Sequence, residues 1–151
     1  MYGLTYVGNL DGKTTAAIKA FPGKASTTIT KGDPVNIEAG YLNLAAAGER
    51  IIGMATETVT NGAGANAAIQ VIVDPMAMYI VDNDNDTTTF AVTHPGTYFD
   101  ITGATGAVQV DTSTTSTTGQ LLALEYNPQI SPFASDTSIG LFMIAENQLS
   151  L

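Results

Sequence analysis

Short runs of apolar and β-branched residues, broken by Gly, Pro, Asn and Asp, dominate this chain. Runs of that kind read as strands and turns rather than helices. In the first half they are Thr27–Lys31, Pro34–Ile37, Tyr41–Leu44, Ile51–Thr56, Ile69–Val73 and Met78–Val81. Thr88–Val92, Tyr98–Ile101, Ala107–Val110, Leu121–Tyr126 and Ile139–Ala145 follow. Strand starts recur at intervals of about 8–12 residues, the spacing of a β-sandwich or barrel.

Turn chemistry adds detail. Val35–Ile37 and Tyr41–Leu44 both alternate, and Glu38-Ala39-Gly40 between them can turn because Gly tolerates positive φ. Ile101–Gly106 similarly joins Phe99–Ile101 to Val108–Val110. Pro34 lacks an N–H and belongs at a strand start or on an edge. Thr14–Phe21 and Leu42–Glu49 are the helical candidates, so helix should stay below about one fifth of the chain. Asn61–Ala68 reads as a loop, and the Ser/Thr tract Asp111–Gly119 as a polar exposed strand or a loop. The prediction is an all-β fold: a small β-barrel or β-sandwich over residues 27–151, preceded by a weakly patterned, extended N-terminal arm over residues 1–26.

Composition narrows the class. A chain of 151 residues fits one domain, and 44% hydrophobic residues argue against wholesale disorder. Only 13% are charged, about half the usual share. A surface rich in Thr, Ala and Gly suits a protein that neighbours cover. Charge is also lopsided. Residues 1–50 hold all five cations (Lys13, Lys19, Lys24, Lys31, Arg50) and four carboxylates, whereas residues 51–151 hold ten carboxylates and no Lys or Arg. An acidic chain is a poor partner for nucleic acid, where phosphate neutralisation dominates affinity. No run approaches the roughly 20 apolar residues of a membrane span. The opening MYGLTYVGNLDGK lacks the basic start and apolar stretch of a secretion signal, and the absence of Cys suits a reducing compartment.

The catalytic vocabulary is thin. His94 precedes Pro95-Gly96 and reads as an exposed turn histidine, with no local nucleophile or orienting carboxylate. Asp82-Asn83-Asp84-Asn85-Asp86 alternates carboxylates like the opening of a calcium loop. Asp82, Asp84 and Asp86 are therefore the candidate metal ligands. However, Thr87 stands where such a loop has Gly and Thr93 where it has Glu, so a solvated acidic turn is the competing reading. The aromatics are spread over strand positions, as core residues are.

The segments Ile29-Thr30-Lys31-Gly32-Asp33-Pro34-Val35, Tyr41-Leu42-Asn43-Leu44-Ala45 and Glu49-Arg50-Ile51-Ile52-Gly53-Met54-Ala55 share a further pattern. The chain resembles the head decoration, or cement, proteins of tailed bacteriophages. In that family K-G-D-x-V, a short hairpin and I-G-x-A open a small β-barrel-like, β-tulip-like domain. The resemblance covers residues 27–75 and, more loosely, 88–148, where Ser138–Glu146 has the cadence of phage virion proteins; residues 1–26 have no counterpart. It implies a non-enzymatic structural virion protein without a cofactor, made in the host cytoplasm and carried on the capsid surface. It would bridge subunits of the major capsid protein, often as a trimer. On that reading the cationic N-terminal part meets the shell or a neighbouring copy, through Lys13, Lys19, Phe21 and Lys24. The alternative is a calcium- or carbohydrate-binding β-sandwich module of a head fibre or adhesin, with Asp82–Asp86 as the calcium loop.

Overall fold

A computed structural model describes residues 3–84, 89–113, 117–130 and 139–148. Among the described residues every regular element is a strand. In chain order these are β1 (Thr5–Asn9), β2 (Ile18–Pro22), β3 (Thr28–Ile29), β4 (Pro34–Glu38), β5 (Tyr41–Leu44), β6 (Gly53–Ala55) and β7 (Val59–Thr60). Then follow β8 (Ala68–Ile72), β9 (Ala77–Asp82), β10 (Tyr98–Phe99), β11 (Ile101–Thr102), β12 (Gln109–Val110), β13 (Leu121–Tyr126) and β14 (Ile139–Ile144). The all-β expectation holds. The strands form a small sandwich of open antiparallel sheets, and none closes into a barrel among the described residues.

Sheet one runs β1-β9-β14-β13-β10, and sheet two runs β2-β8-β6-β4-β5. Period-2 alternation explains how sheet one is packed. Along β9, Ala77, Tyr79 and Val81 face the inter-sheet core, while Met78 and Ile80 join Ile139 and Leu141 on the outer face. Both faces are apolar, so the strand is apolar throughout. Phe99, Leu121 and Phe142 of sheet one meet Met54 and Ile72 of sheet two in that core. Full burial of side chains this size contributes roughly 1.5–3 kcal/mol each before entropy is counted.

Sheet two has a second core on its far face. Val35, Leu42, Ile69 and Val71 pack there with Ile29 of the small β3–β7 ribbon. The sheet also curls: Gly23 bridges Leu42, and the Lys24 N–H donates to the Leu42 carbonyl at 3.0 Å, drawing the end of β2 toward β5. Fully buried Gln120 links the layers. Its Nε2 donates to the carbonyls of Ala46 and Glu49 at 2.8 and 2.6 Å, and its Oε1 accepts from the Ile101 N–H at 3.0 Å.

Both predicted hairpins form. Glu38 pairs with Tyr41, leaving Ala39 and Gly40 as a two-residue loop with φ of 49° and 88°, the doubly positive pattern that matches strand twist. Ile101 pairs with Val110 across the other turn. Pro34 opens β4, where its missing N–H costs nothing.

Three expectations need correction. The described part of residues 1–26 is not an arm standing apart from a 27–151 domain. β1 pairs with β9 and β2 with β8, so this segment supplies one edge strand to each sheet. Its pattern is weak because Gly8 interrupts β1 beside a register shift, and because β2 exposes four of its five residues. The Thr88–Val92 run is not a strand over its described residues, 89–92. Phe90 is instead held by rings, with Phe142 at 5.2 Å and Phe99 at 5.7 Å, and the chain turns at Ala91–His94. Ile18–Phe21, the second half of the helical candidate Thr14–Phe21, lies in strand β2.

Candidate interaction surface

The N-terminal flank collects exposed apolar side chains beside cations. Ile18 on β2 is 56% exposed, and Leu10 and Met76, joined by a 2.8 Å backbone bond from the Leu10 N–H to the Met76 carbonyl, are 56% and 41% exposed. Lys19 lies 5.4 Å from the centre of the Phe21 ring, which is itself half-buried against the second core. Lys13 pairs with Asp11 at 2.9 Å, and Lys24 with Glu38 at 3.3 Å. Hydrogen bonding to Lys13 holds the Asp11 carboxyl below its ordinary value, and the same contact raises Lys13. Both groups reach solvent, so screening leaves the pair little stabilising effect. Lys19 and Lys31 have no ion pair among the described residues. Of the predicted contact residues, the structure brings Lys19 and Phe21 together on β2, with Lys24 just past its end and Lys13 in the link before it.

The β2 ladder decides which backbone groups are open. The Val73 N–H donates to the Ala17 carbonyl at 2.9 Å, and the Gly23 N–H donates to the Ala67 carbonyl at 2.9 Å. Odd-numbered residues of this stretch therefore bond to β8, and alternation turns the N–H and C=O of Ile18 and Ala20 away from it. Among the described residues β2 ends the sheet, so those groups lie on its open edge.

Side chains on the same strands form an apolar row. Ile18 stands opposite Ile72, which stands opposite Met54, so the three share one face. Ile72 and Met54 line a groove of about 440 Å³ that opens beside β1, with Leu4 and Tyr6 on its other wall and Lys31 among its lining residues. The row thus passes from the open edge at Ile18 into the side of the inter-sheet core.

No family model matches the chain, and no curated protein or solved structure matches it.

The other predicted features are more local. Asp82 ends β9 and is buried, while Asp84 accepts a 3.2 Å hydrogen bond from the Thr112 hydroxyl. Asp86 lies outside the described residues. Among the described residues no group of three His, Asp or Glu side chains converges as a metal site. His94 does occupy a turn, but it is half-buried rather than exposed. Its Nδ1 accepts from the Ala91 N–H at 3.1 Å, and its ring stacks 5.3 Å from both Phe90 and Phe99.

Sequence reasoning missed two buried carboxylates. Asp33, the aspartate of Lys31-Gly32-Asp33, is fully buried and accepts from the N–H groups of Thr30 and Gly106, both at 2.8 Å, and from the Thr105 hydroxyl. Asp74 accepts from the Asn9 amide at 2.9 Å and the Met76 N–H at 3.0 Å, and Asn9 in turn accepts from the Tyr6 hydroxyl at 3.0 Å. Beside this cluster Tyr79 is fully buried and its hydroxyl has no hydrogen-bond partner among the described residues. Burial first, then the charge of Asp74 and the neighbouring Tyr6, push its phenol above the ordinary range. These carboxylates brace turns. A turn-forming Asp beside Gly or Pro was the available signal for both.

Proposed function

We propose that this protein is a structural virion protein that binds the outer surface of a phage capsid and stabilises the shell by bridging major-capsid subunits. One observation carries the reading: residues 5–22 give each sheet an edge strand, and this flank presents Ile18, Leu10 and Met76 to solvent beside Lys19. Surfaces of this kind act through backbone pairing and apolar contact with another protein. The K-G-D-x-V segment supports the same reading in a physical way. Its Asp33 locks the β3–β4 turn to the β11–β12 hairpin, making a rigid body that can be repeated over a lattice.

The test is co-sedimentation of the purified protein with shells assembled from a tailed-phage major capsid protein. Retention on the shell, and rupture of decorated shells at a higher temperature than bare ones, are expected. Protein that remains in the supernatant at every ratio refutes the reading.

A further inference from the structure

We infer that the open edge of β2 is the docking strand, and that its occupant is an extended, acidic segment of a partner protein with an apolar side chain between carboxylates. This inference rests on the structural reading above and names the chemistry of the segment that the shell must offer. Three features of one strand converge on it. First, the N–H and C=O groups of Ile18 and Ala20 point away from β8 at the end of the sheet, so an added strand can continue the ladder. Among the described residues only the far end is occupied, where Gly23 and Lys24 meet Leu42.

Second, the face beside that edge is apolar and open. Ile18, Ala20 and Pro22 alternate onto one face and are all exposed. Ile18 begins the row that continues through Ile72 to Met54. An aliphatic side chain on the incoming strand would extend this row outward. Edge strands normally carry charge or Pro against unwanted pairing. Here Pro22 terminates the edge, and Lys19 is the charged residue within the strand.

Third, the charge fixes the sign of the partner. Lys19 projects to the opposite face from Ile18, held over Phe21, and has no ion pair among the described residues. Lys13 and Lys24 flank it in sequence but are paired with Asp11 and Glu38, so Lys19 is the cation this strand offers a partner, while residues 51–151 carry ten carboxylates and no Lys or Arg. An acidic segment is repelled over most of the molecule and attracted at this strand. A basic segment would meet the reverse field.

Two measurements test the proposal. The first is titration of the ¹⁵N-labelled full chain with the capped hexapeptide DVTVEV, using KVTVKV as the control. The acidic peptide should shift the amides of Ile18 to Ala20, and the basic one should not. Absence of shifts at these amides at millimolar peptide, or equal shifts from both peptides, overturns the docking edge. The second is shell co-sedimentation with Ala20→Pro and Lys19→Glu. Pro at an outward-facing edge position leaves the β2–β8 ladder intact, so its thermal melt should match wild type. Binding should fall about tenfold, because the added strand loses a donor and meets the ring. Lys19→Glu should weaken binding most at low salt. Wild-type binding by both variants overturns the docking edge and leaves the structural reading standing. A wild-type chain that ignores shells but takes the acidic peptide on β2 keeps the docking edge and removes the capsid reading. If light scattering shows a wild-type oligomer that Ala20→Pro dissociates, the occupant is a second copy and the assignment to a partner protein is wrong.

Discussion

Asp33 and Gly106 are 73 positions apart in sequence, yet the Gly106 N–H donates to Asp33 Oδ1 at 2.8 Å. The other carboxylate oxygen takes the Thr30 N–H at 2.8 Å and the Thr105 hydroxyl. A fully buried carboxylate with no cation beside it among the described residues is tolerable here because three donors from two turns surround it. Asp33→Ala strands those donors and should cost about 3–5 kcal/mol. Asp33→Asn keeps the shape but turns an NH₂ toward a donor, so it should cost about half as much. Urea unfolding of the two variants checks the order. A loss below about 1 kcal/mol in Asp33→Ala would show that the turns hold without the clamp.

Gly53 is the glycine of the Ile52-Gly53-Met54-Ala55 segment, and its backbone φ is ordinary. Its constraint is space: a Cβ there would lie 1.9 Å from the Ile72 carbonyl oxygen and 2.8 Å from Val71 Cγ1. The carbonyl is backbone of the neighbouring strand and cannot swing aside. Gly53→Ala should therefore separate β6 from β8 and cost about 3 kcal/mol or more. Gly40, with nothing near its virtual Cβ, is limited by its φ of 88° alone. Gly40→Ala should cost only about 1 kcal/mol. Melting temperatures of the two variants separate steric closeness from backbone strain, and equal losses would refute the distinction.

Strands buried on both faces were the legible ones. Ile80, Val81, Leu121 and Phe142 belong to runs whose apolar content alone marks β9, β13 and β14. β1 and β2 escaped because an edge strand needs only one covered side. Tyr6 and Phe21 are the partly buried anchors, while Gly8, Lys19 and Ala20 blur the alternation around them. The cations of the flank could be read from the sequence. That Ile18 and Ala20 present open backbone could not, because this depends on the register with β8. The carboxylate clusters were hidden for a related reason, since Asn9 reaches Asp74 across 65 positions.

Phe90 shows how a strand-like run becomes a plug. The ring is 3% exposed and lies within 6 Å, centre to centre, of Phe99, Phe142, Tyr126 and His94, while Val92 two residues on is 75% exposed. Without a ladder, ring packing is the main tie holding residues 89–92 to the sandwich. Phe90→Ala should cost about 3–5 kcal/mol, and Phe90→Leu should recover more than half of that. Amide exchange at residues 91–97 should rise in Phe90→Ala before exchange in β13 and β14 does. Uniform acceleration across the chain would argue that the segment has no separate opening.

Tyr79 carries a hydroxyl that the fold does not use. It is fully buried, its oxygen lacks a partner among the described residues, and its ring packs edge-on to Tyr6 at 6.3 Å. Tyr79→Phe keeps the ring and deletes the desolvated hydroxyl, so stability near neutral pH should rise by about 1 kcal/mol. The alkaline limb gives a second readout. The folded phenol titrates above its ordinary value of 10.0, chiefly because burial penalises the phenolate. The unfolded chain therefore releases this proton first. The resulting stability is fully present below pH 10 and is lost as pH rises past it, by up to about 1.4 kcal/mol per pH unit. Wild type should lose more stability than Tyr79→Phe between pH 9 and about pH 11, and urea midpoints at both pH values measure the difference. Parallel losses in the two proteins would place the alkaline sensitivity elsewhere, and a destabilised Tyr79→Phe at neutral pH would mean that the hydroxyl has a partner after all.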